Sequence, residues 1–286
     1  MSAAIIKTEA SQKRRNFISK FLIYFFLIVI TACMLLPFLW MLSSSFKLNK
    51  DVFGFPIQWI PKNPRWQNYV DIWTQIPLLT FVKNTVKITV VVTLLQLFTS
   101  SFAAYAFAKM QFKGKNVLFL GYIATIAVPW QAYMVPQFMM MSSWHLNNTH
   151  LAIMCLQAFS AFGVFLMKQF SEGIPTEMLE AARIDGASEA RTFVKIVLPM
   201  VKPGIGALAI FTFINSWNDY FMQLIMLSST SNLTISLGIA KLQAENSTDF
   251  GLIMAGAALA AVPIIIIFLI FQKYFTQGIT MGAVKG

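Results

Sequence analysis

The sequence is poor in charge, cysteine and histidine, and each scarcity excludes something. Only 12% of its 286 residues are Asp, Glu, Lys or Arg, against about 25% in ordinary soluble domains, and the mean hydropathy is +0.65. A soluble globular enzyme is excluded on that ground. Phe occurs 27 times, no Gly-X-Y period is present and no heptad is sustained, so disorder, collagen and coiled coil are excluded too. The two cysteines, Cys33 and Cys155, lie inside apolar runs, where they behave as small hydrophobes rather than as disulfide or metal ligands. His145 and His150 stand five apart with no further His or Cys nearby, too few ligands for a metal site. No phosphate loop of the form G-x-x-x-x-G-K-[ST] occurs: Gly114-Lys115 is followed by Asn116 and lacks the upstream glycine, so this chain does not hydrolyse ATP by that route. No Ser, His and acid arrangement with a recognisable elbow suggests other catalysis.

What is abundant is apolar sequence. A helix crossing the roughly 30 Å hydrocarbon core needs about 20 mostly apolar residues. Six runs qualify: Phe21 to Phe46, Ile88 to Ala108, Asn116 to about Met141, Leu151 to Met167, Pro203 to about Leu227, and Phe250 to Gln272. The expectation is an all-α membrane protein. The first run, preceded by Lys13, Arg14, Arg15 and Lys20, exceeds the roughly 7 to 15 residues of a signal-peptide core and has no small-x-small cleavage site, so it is expected to stay as an anchor. After the fifth run, Ser228 to Asn232 is expected to break the apolar continuation with turn-forming residues. The net charge of +11 does not point to nucleic acid, because the basic residues sit between the runs. With the N-terminus inside, the inner segments hold 15 Lys and Arg and the outer ones seven, six of those in or beside one long outer loop. Both termini are therefore expected to be cytoplasmic. The division that follows is a tail over 1–20, the first span and long outer loop over 21–82, a core with spans two to six over 83–273, and a tail over 274–286. No period of about 20 to 50 residues repeats and no inverted symmetry relates the halves, which disfavours a secondary transporter.

The inner loop over about 172–199 carries Glu172, Glu177, Glu180, Asp185 and Glu189 beside Arg183, Arg191, Lys195 and Lys202. It reads as helical: Pro175 suits a first turn, Glu180 and Arg183 share a face, Gly186 permits a sharp bend, and Pro199 is expected to end the pattern. On composition alone, a solvated amphipathic connector fits as well as a functional element. The string EAARIDGASEARTFVKIVLP, however, fits E-A-A-x3-G-x9-I-x-L-P, with Glu180, Ala181, Ala182, Gly186, Ile196, Leu198 and Pro199 at the seven fixed positions. That pattern resembles the one marking the membrane subunits of bacterial ABC importers. The outer PKNPRWQNYVDIW, the inner FAKMQFKGK, FTFINSWNDYF in the fifth run and the terminal QKYFTQGITMGAVKG resemble the smaller permease subunit of the maltose and multiple-sugar branch.

The resemblance implies a type I ABC importer transmembrane domain of six helices in the bacterial inner membrane. It implies that the loop 177–199 docks in a groove of an ATPase subunit, with Glu180 and Gly186 as the central docking and bending positions. It implies partners: a second, larger permease, a homodimeric ATPase that binds ATP and Mg, and an extracytoplasmic solute-binding protein delivering a sugar. This chain itself would hold no cofactor. In that branch the C-terminal tail reaches between the ATPase subunits, which marks Gln277, Gly278, Gly282 and Lys285 as a second contact; a frayed polar end is the plainer reading.

Asp219, within Trp217-Asn218-Asp219-Tyr220, is the acidic residue well inside an apolar run, where insertion scales charge roughly 2.5 to 3.5 kcal/mol. Either it faces a watery path and binds sugar hydroxyls, with Trp217 or Tyr220 as an apolar plate, or it sits at a helix end or bonds Asn218 or Gln223 between helices. Pro129-Trp130-Gln131 and Pro136 suggest a bend in the third run, and Gln131 or Gln157 either lines the path or makes interhelical hydrogen bonds. Two alternatives to the sugar importer stay open: a motor-independent carrier or channel, and an importer of a polyol or glycerol phosphate.

Overall fold

The computed structural model describes residues 2–245 and 249–283, with side chains over 16–244 and 249–273. Its elements are helical: α1 (Ser2–Ser45), α2 (Asn68–Gln75), α3 (Leu78–Lys109), α4 (Lys115–Ala124), α5 (Met134–Ser143), α6 (His150–Gln157), α7 (Ala161–Glu172), α8 (Thr176–Ile184), α9 (Lys202–Asn218), α10 (Phe221–Met226), α11 (Ile235–Glu245) and α12 (Phe250–Ala283), with shorter turns between. All six apolar runs are helical, but they differ in continuity. Asn16–Ser45, Leu78–Lys109 and Phe250–Lys273 are unbroken and long enough to span; His150–Gln157 with Ala161–Glu172 bends by 42° and Glu189–Met200 with Lys202–Asn218 by 79°. The third run is interrupted, as Pro129 suggests: two 3-10 turns, Thr125–Ala127 and Trp130–Ala132, separate α4 from α5. Ser228 to Asn232 does break the chain, with a 3-10 turn at Thr230–Asn232 between α10 and α11.

Two compact units form, Met1–Ile72 with Ser247–Ala258, and Trp73–Asn246 with Leu259–Gly286. In the first, α1 is exposed from Asn16 to Leu39, and a helix apolar all round needs lipid or another chain against it. Its C-terminal end is tied down by Asn68, whose buried amide donates to the carbonyls of Ser45 (2.9 Å) and Lys47 (3.0 Å), satisfying acceptors that a helix end leaves free.

In the second unit α3 is the central post, packed against α7 and α9. Approach to α7 is close at Gly163, where an added Cβ would stand 2.4 Å from Ser100 Oγ and 3.2 Å from Ser100 Cβ. Gly163→Ala is therefore expected to lower the unfolding midpoint in detergent: overpacking costs about 1–3 kcal/mol, more than the roughly 0.8–1 kcal/mol that Ala gains over Gly in a helix. Adding Ser100→Gly should restore part of the loss, and a midpoint that rises in the single variant would contradict the packing account.

Candidate functional site

The loop expected to lie inside begins where α7 ends. Lys109, at the end of α3, donates from Nζ to the Ile174 carbonyl at 2.6 Å, and Pro175 stands at the N-cap position of α8 without a side-chain capping bond. Gly186, with φ of +77°, closes α8: the Gly186 amide bonds the Arg183 carbonyl (3.0 Å) and the Ala187 amide reaches back to Ala182 (2.9 Å). This paired closure needs a left-handed residue, and glycine takes that backbone without a Cβ penalty. Ser188 then caps the short helix Glu189–Thr192, accepting from the Arg191 amide. Pro199 does not end the helical pattern as expected. It lies within the turn Leu198–Met200, preceded by the π-helical turn Phe193–Val197, and the sharp bend falls after it. A widened turn makes room for a ring that would otherwise strike the carbonyl four residues back.

The seven motif residues fall on two faces. Ala182 is buried, and Ile196 and Leu198 pack against a core that includes Tyr105, Met167, Leu179, Phe193 and Val197. Glu180, Ala181, Gly186 and Pro199 are exposed. Beside Glu180 the outer face also carries Met178 and Ile184, the latter 86% exposed. Sequence reasoning missed Ile184, although it stands off the Leu179–Ala182 stripe that buries α8.

It also missed Glu189 as more than one acid among five. Tyr105, 2% exposed on α3, donates from its hydroxyl to Glu189 Oε2 at 2.6 Å. Arg183 meets the other carboxylate oxygen at 2.9 Å from Nη2 and 3.0 Å from Nε. The hydrogen bond from Tyr105, together with the Arg183 charge, holds the Glu189 carboxyl below its usual value. A depressed folded value means stability present at neutral pH and lost as pH falls through it. Unfolding midpoints should therefore differ most between wild type and Glu189→Gln near neutrality and converge on acidification; a gap constant from about pH 7 to pH 3 would contradict an ionic contribution.

A cavity of about 450 Å³ lies among α3, the α4–α5 break, α6, α7, α9 and α10. Its polar lining includes Gln96, Gln131, Gln157 and Asp219, its aromatic lining Trp130 and Phe211. Asp219 sits in the break between α9 and α10 and is held by two donors, the Gln157 amide on Oδ2 (2.7 Å) and the Met222 backbone amide on Oδ1 (3.3 Å). Its partner is thus Gln157, not Asn218 or Gln223: Asn218 donates to the Ile214 carbonyl, and Gln223 is buried beside Thr234. Where α6 ends, the freed carbonyls of Gln157 and Ala158 accept from Gln96 (2.7 Å) and Thr99 (2.8 Å) of α3, which is how a broken helix survives at membrane depth. Of the five path residues named from sequence, Asp219 and Gln131 line the cavity, whereas Trp217, Asn218 and Tyr220 are not among its lining residues. Trp217 is 1% exposed and donates to the Ala260 carbonyl of α12. Gln277, Gly278 and Gly282 fall in the backbone of α12, but their side chains and all of Lys285 lie outside the described residues.

Apolar helices around a largely apolar cavity whose wall carries Gln96, Gln131, Gln157 and Asp219, with a helical loop hung from one end, have the build of a membrane permease. Residues 96–281 match the family described as binding-protein-dependent transport system inner membrane component, and the chain belongs to that family. It is 34% identical over 253 residues to the arabinooligosaccharides transport system permease protein AraQ of Halalkalibacterium halodurans, covering 87% of this chain and 91% of that one. Against the lactose transport system permease protein LacG of Rhizobium radiobacter the identity is 33% over 255 residues, 87% and 90% of the two chains. The fold matches a solved bacterial ABC transporter involved in the import of the acidic polysaccharide alginate, with a TM-score of 0.79 over 92% of this chain and 98% of that chain at 24% identity. The all-α type I importer fold expected from the sequence is the fold found, and permease subunits of this kind carry no ATPase site of their own.

Proposed function

We propose that this chain is one of two permease subunits of an ATP-driven importer for a sugar or oligosaccharide in the bacterial inner membrane, with both termini cytoplasmic. The observation that carries the reading is the outer face of α8, where Glu180, Ala181 and the exposed Met178 and Ile184 project beside the Gly186 turn. Met178 and Ile184, exposed on an otherwise charged helix beside the docking motif, give a partner groove apolar surface to cover. A groove on the partner ATPase dimer, which binds ATP and Mg, fits that face. The second permease fits the bare α1, and the solute-binding protein the outer loop. Relatives that carry arabino-oligosaccharides and lactose support the cargo class, as do the amide and aromatic groups of the cavity.

Closure of the ATPases on nucleotide drags the docked loop, and the spans exchange inward-open for outward-open arrangements. A shift from about 1:99 to 99:1 needs about 5.5 kcal/mol of differential binding, which a nucleotide motor can share with the cargo. Glu180→Lys is expected to strip the ATPase dimer from the tagged permease pair during co-purification while the pair itself stays folded. Retention of the ATPase together with unchanged uptake would favour a motor-independent carrier instead.

A further inference from the structure

We propose that Tyr105 and Glu189 form the joint through which the inner loop moves α3, and that α3 carries the movement to the cavity. This rests on the reading of the loop as the ATPase dock and goes beyond it by naming the output element. The loop is fixed to the inner end of α3 at separate points. Lys109 holds the loop's start at the Ile174 carbonyl. The Phe102 and Tyr105 rings lie 5.7 and 5.6 Å from Phe193 in the π-helical turn. Tyr105 holds the middle at Glu189, across 84 positions of sequence.

The Glu189 bond differs from the other two. Glu189 is also gripped by Arg183, which stands on α8 between the motif residues Ala182 and Gly186. The outer, docking face of α8 and the buried hydroxyl of α3 are therefore joined through a single carboxylate. Nine residues up the same helix, about 13.5 Å at helical rise, Gln96 accepts from Thr212 of α9 at 3.0 Å and donates to the Gln157 carbonyl at 2.7 Å. Gln157 in turn donates to Asp219. A rigid helix thus connects the loop to the hydrogen bonds that set the cavity wall. Tyr105 and Glu189 are positioning residues: neither lines the cavity.

The test uses spheroplasts carrying the assembled transporter with its second permease, ATPases and solute-binding protein. The reporter is Asn215→Cys in the cavity wall, with Cys33 and Cys155 replaced by Ser, and the probe is an impermeant maleimide added outside. Wild type should react faster in energised than in ATP-depleted cells. Tyr105→Phe, which keeps the buried ring, and Glu189→Gln, which keeps the shape of an exposed side chain, should each shrink that ATP-dependent rise by about threefold to tenfold. Their ATPases should still co-purify at the wild-type ratio, and the double variant should be no worse than the weaker single. Variants that keep the full rise and lose only thermal stability would overturn the joint, as would additive losses. Loss of the ATPases from the variants would mean that the pair serves docking rather than transmission, and overturns it as well. A wild type that shows no ATP-dependent rise would remove the importer reading itself, and the joint with it.

Discussion

Ile184→Asp is expected to weaken the hold of the permease pair on its ATPase about tenfold to a hundredfold while leaving the unfolding midpoint of the pair unchanged. The side chain is 86% exposed, so nothing inside this chain depends on it. Burying an isoleucine in a partner groove is worth about 1.5–3 kcal/mol, and each 1.4 kcal/mol is about tenfold in affinity. Asp at that position forfeits the burial and adds a charge that must be desolvated. Titration of the detergent-solubilised pair with labelled ATPase dimer measures it, and an unchanged dissociation constant would place the dock elsewhere.

Asp219→Leu is expected to abolish most uptake without preventing insertion. Two effects on folding oppose each other. Removing a carboxylate from membrane depth returns roughly 2.5–3.5 kcal/mol on insertion scales, whereas leaving the Gln157 amide and the Met222 N–H without an acceptor costs about 1–3 kcal/mol each. These nearly cancel, so stability should move little. Transport should not be spared: a hydrogen bond to a charged group is worth about 1.5–3 kcal/mol, and Asp219 is the carboxylate among the cavity's lining residues. Uptake of a radiolabelled arabino-oligosaccharide or of lactose, the sugars in the names of the two relatives, should fall about tenfold to a hundredfold. Asp219→Asn should keep more activity, because the Gln157 amide can turn over to present its oxygen. Full uptake by the leucine variant would leave Asp219 a structural cap of α10 and remove it from the path.

The apolar runs were legible because hydrocarbon imposes a length and a composition, but their continuity was not: three are unbroken helices long enough to span, and two more form only as bent pairs. The turn at Ser228 to Asn232 and the interruption at Pro129 were legible for a local reason: turn residues act on the backbone where they stand. Gly186 was legible in the same way, as a residue free to take the left-handed conformation that closes α8. The π-helical turn before Pro199 was not, since hydrogen-bond register leaves no trace in apolar periodicity. The partner of Asp219 was not legible, because a local reading offers only Asn218 and Gln223 as candidates, whereas Gln157 stands 62 positions away. Trp217 looked like a sugar plate from its neighbours, yet its indole is spent on α12. Long-range pairs of this kind, Tyr105 with Glu189 among them, are set by how α3, α7 and α9 pack, and a single sequence does not state that packing.

The central claim is that the loop after α7 lies on the cytoplasmic side and meets the ATPase. Ile184→Cys, with Cys33 and Cys155 replaced by Ser, tests it in one experiment on right-side-out and inverted vesicles holding the assembled transporter. The account predicts that an impermeant maleimide labels position 184 only in inverted vesicles, and that a bifunctional thiol reagent there joins the permease to the ATPase subunit. Labelling from the outside, with no product joined to the ATPase, would contradict it.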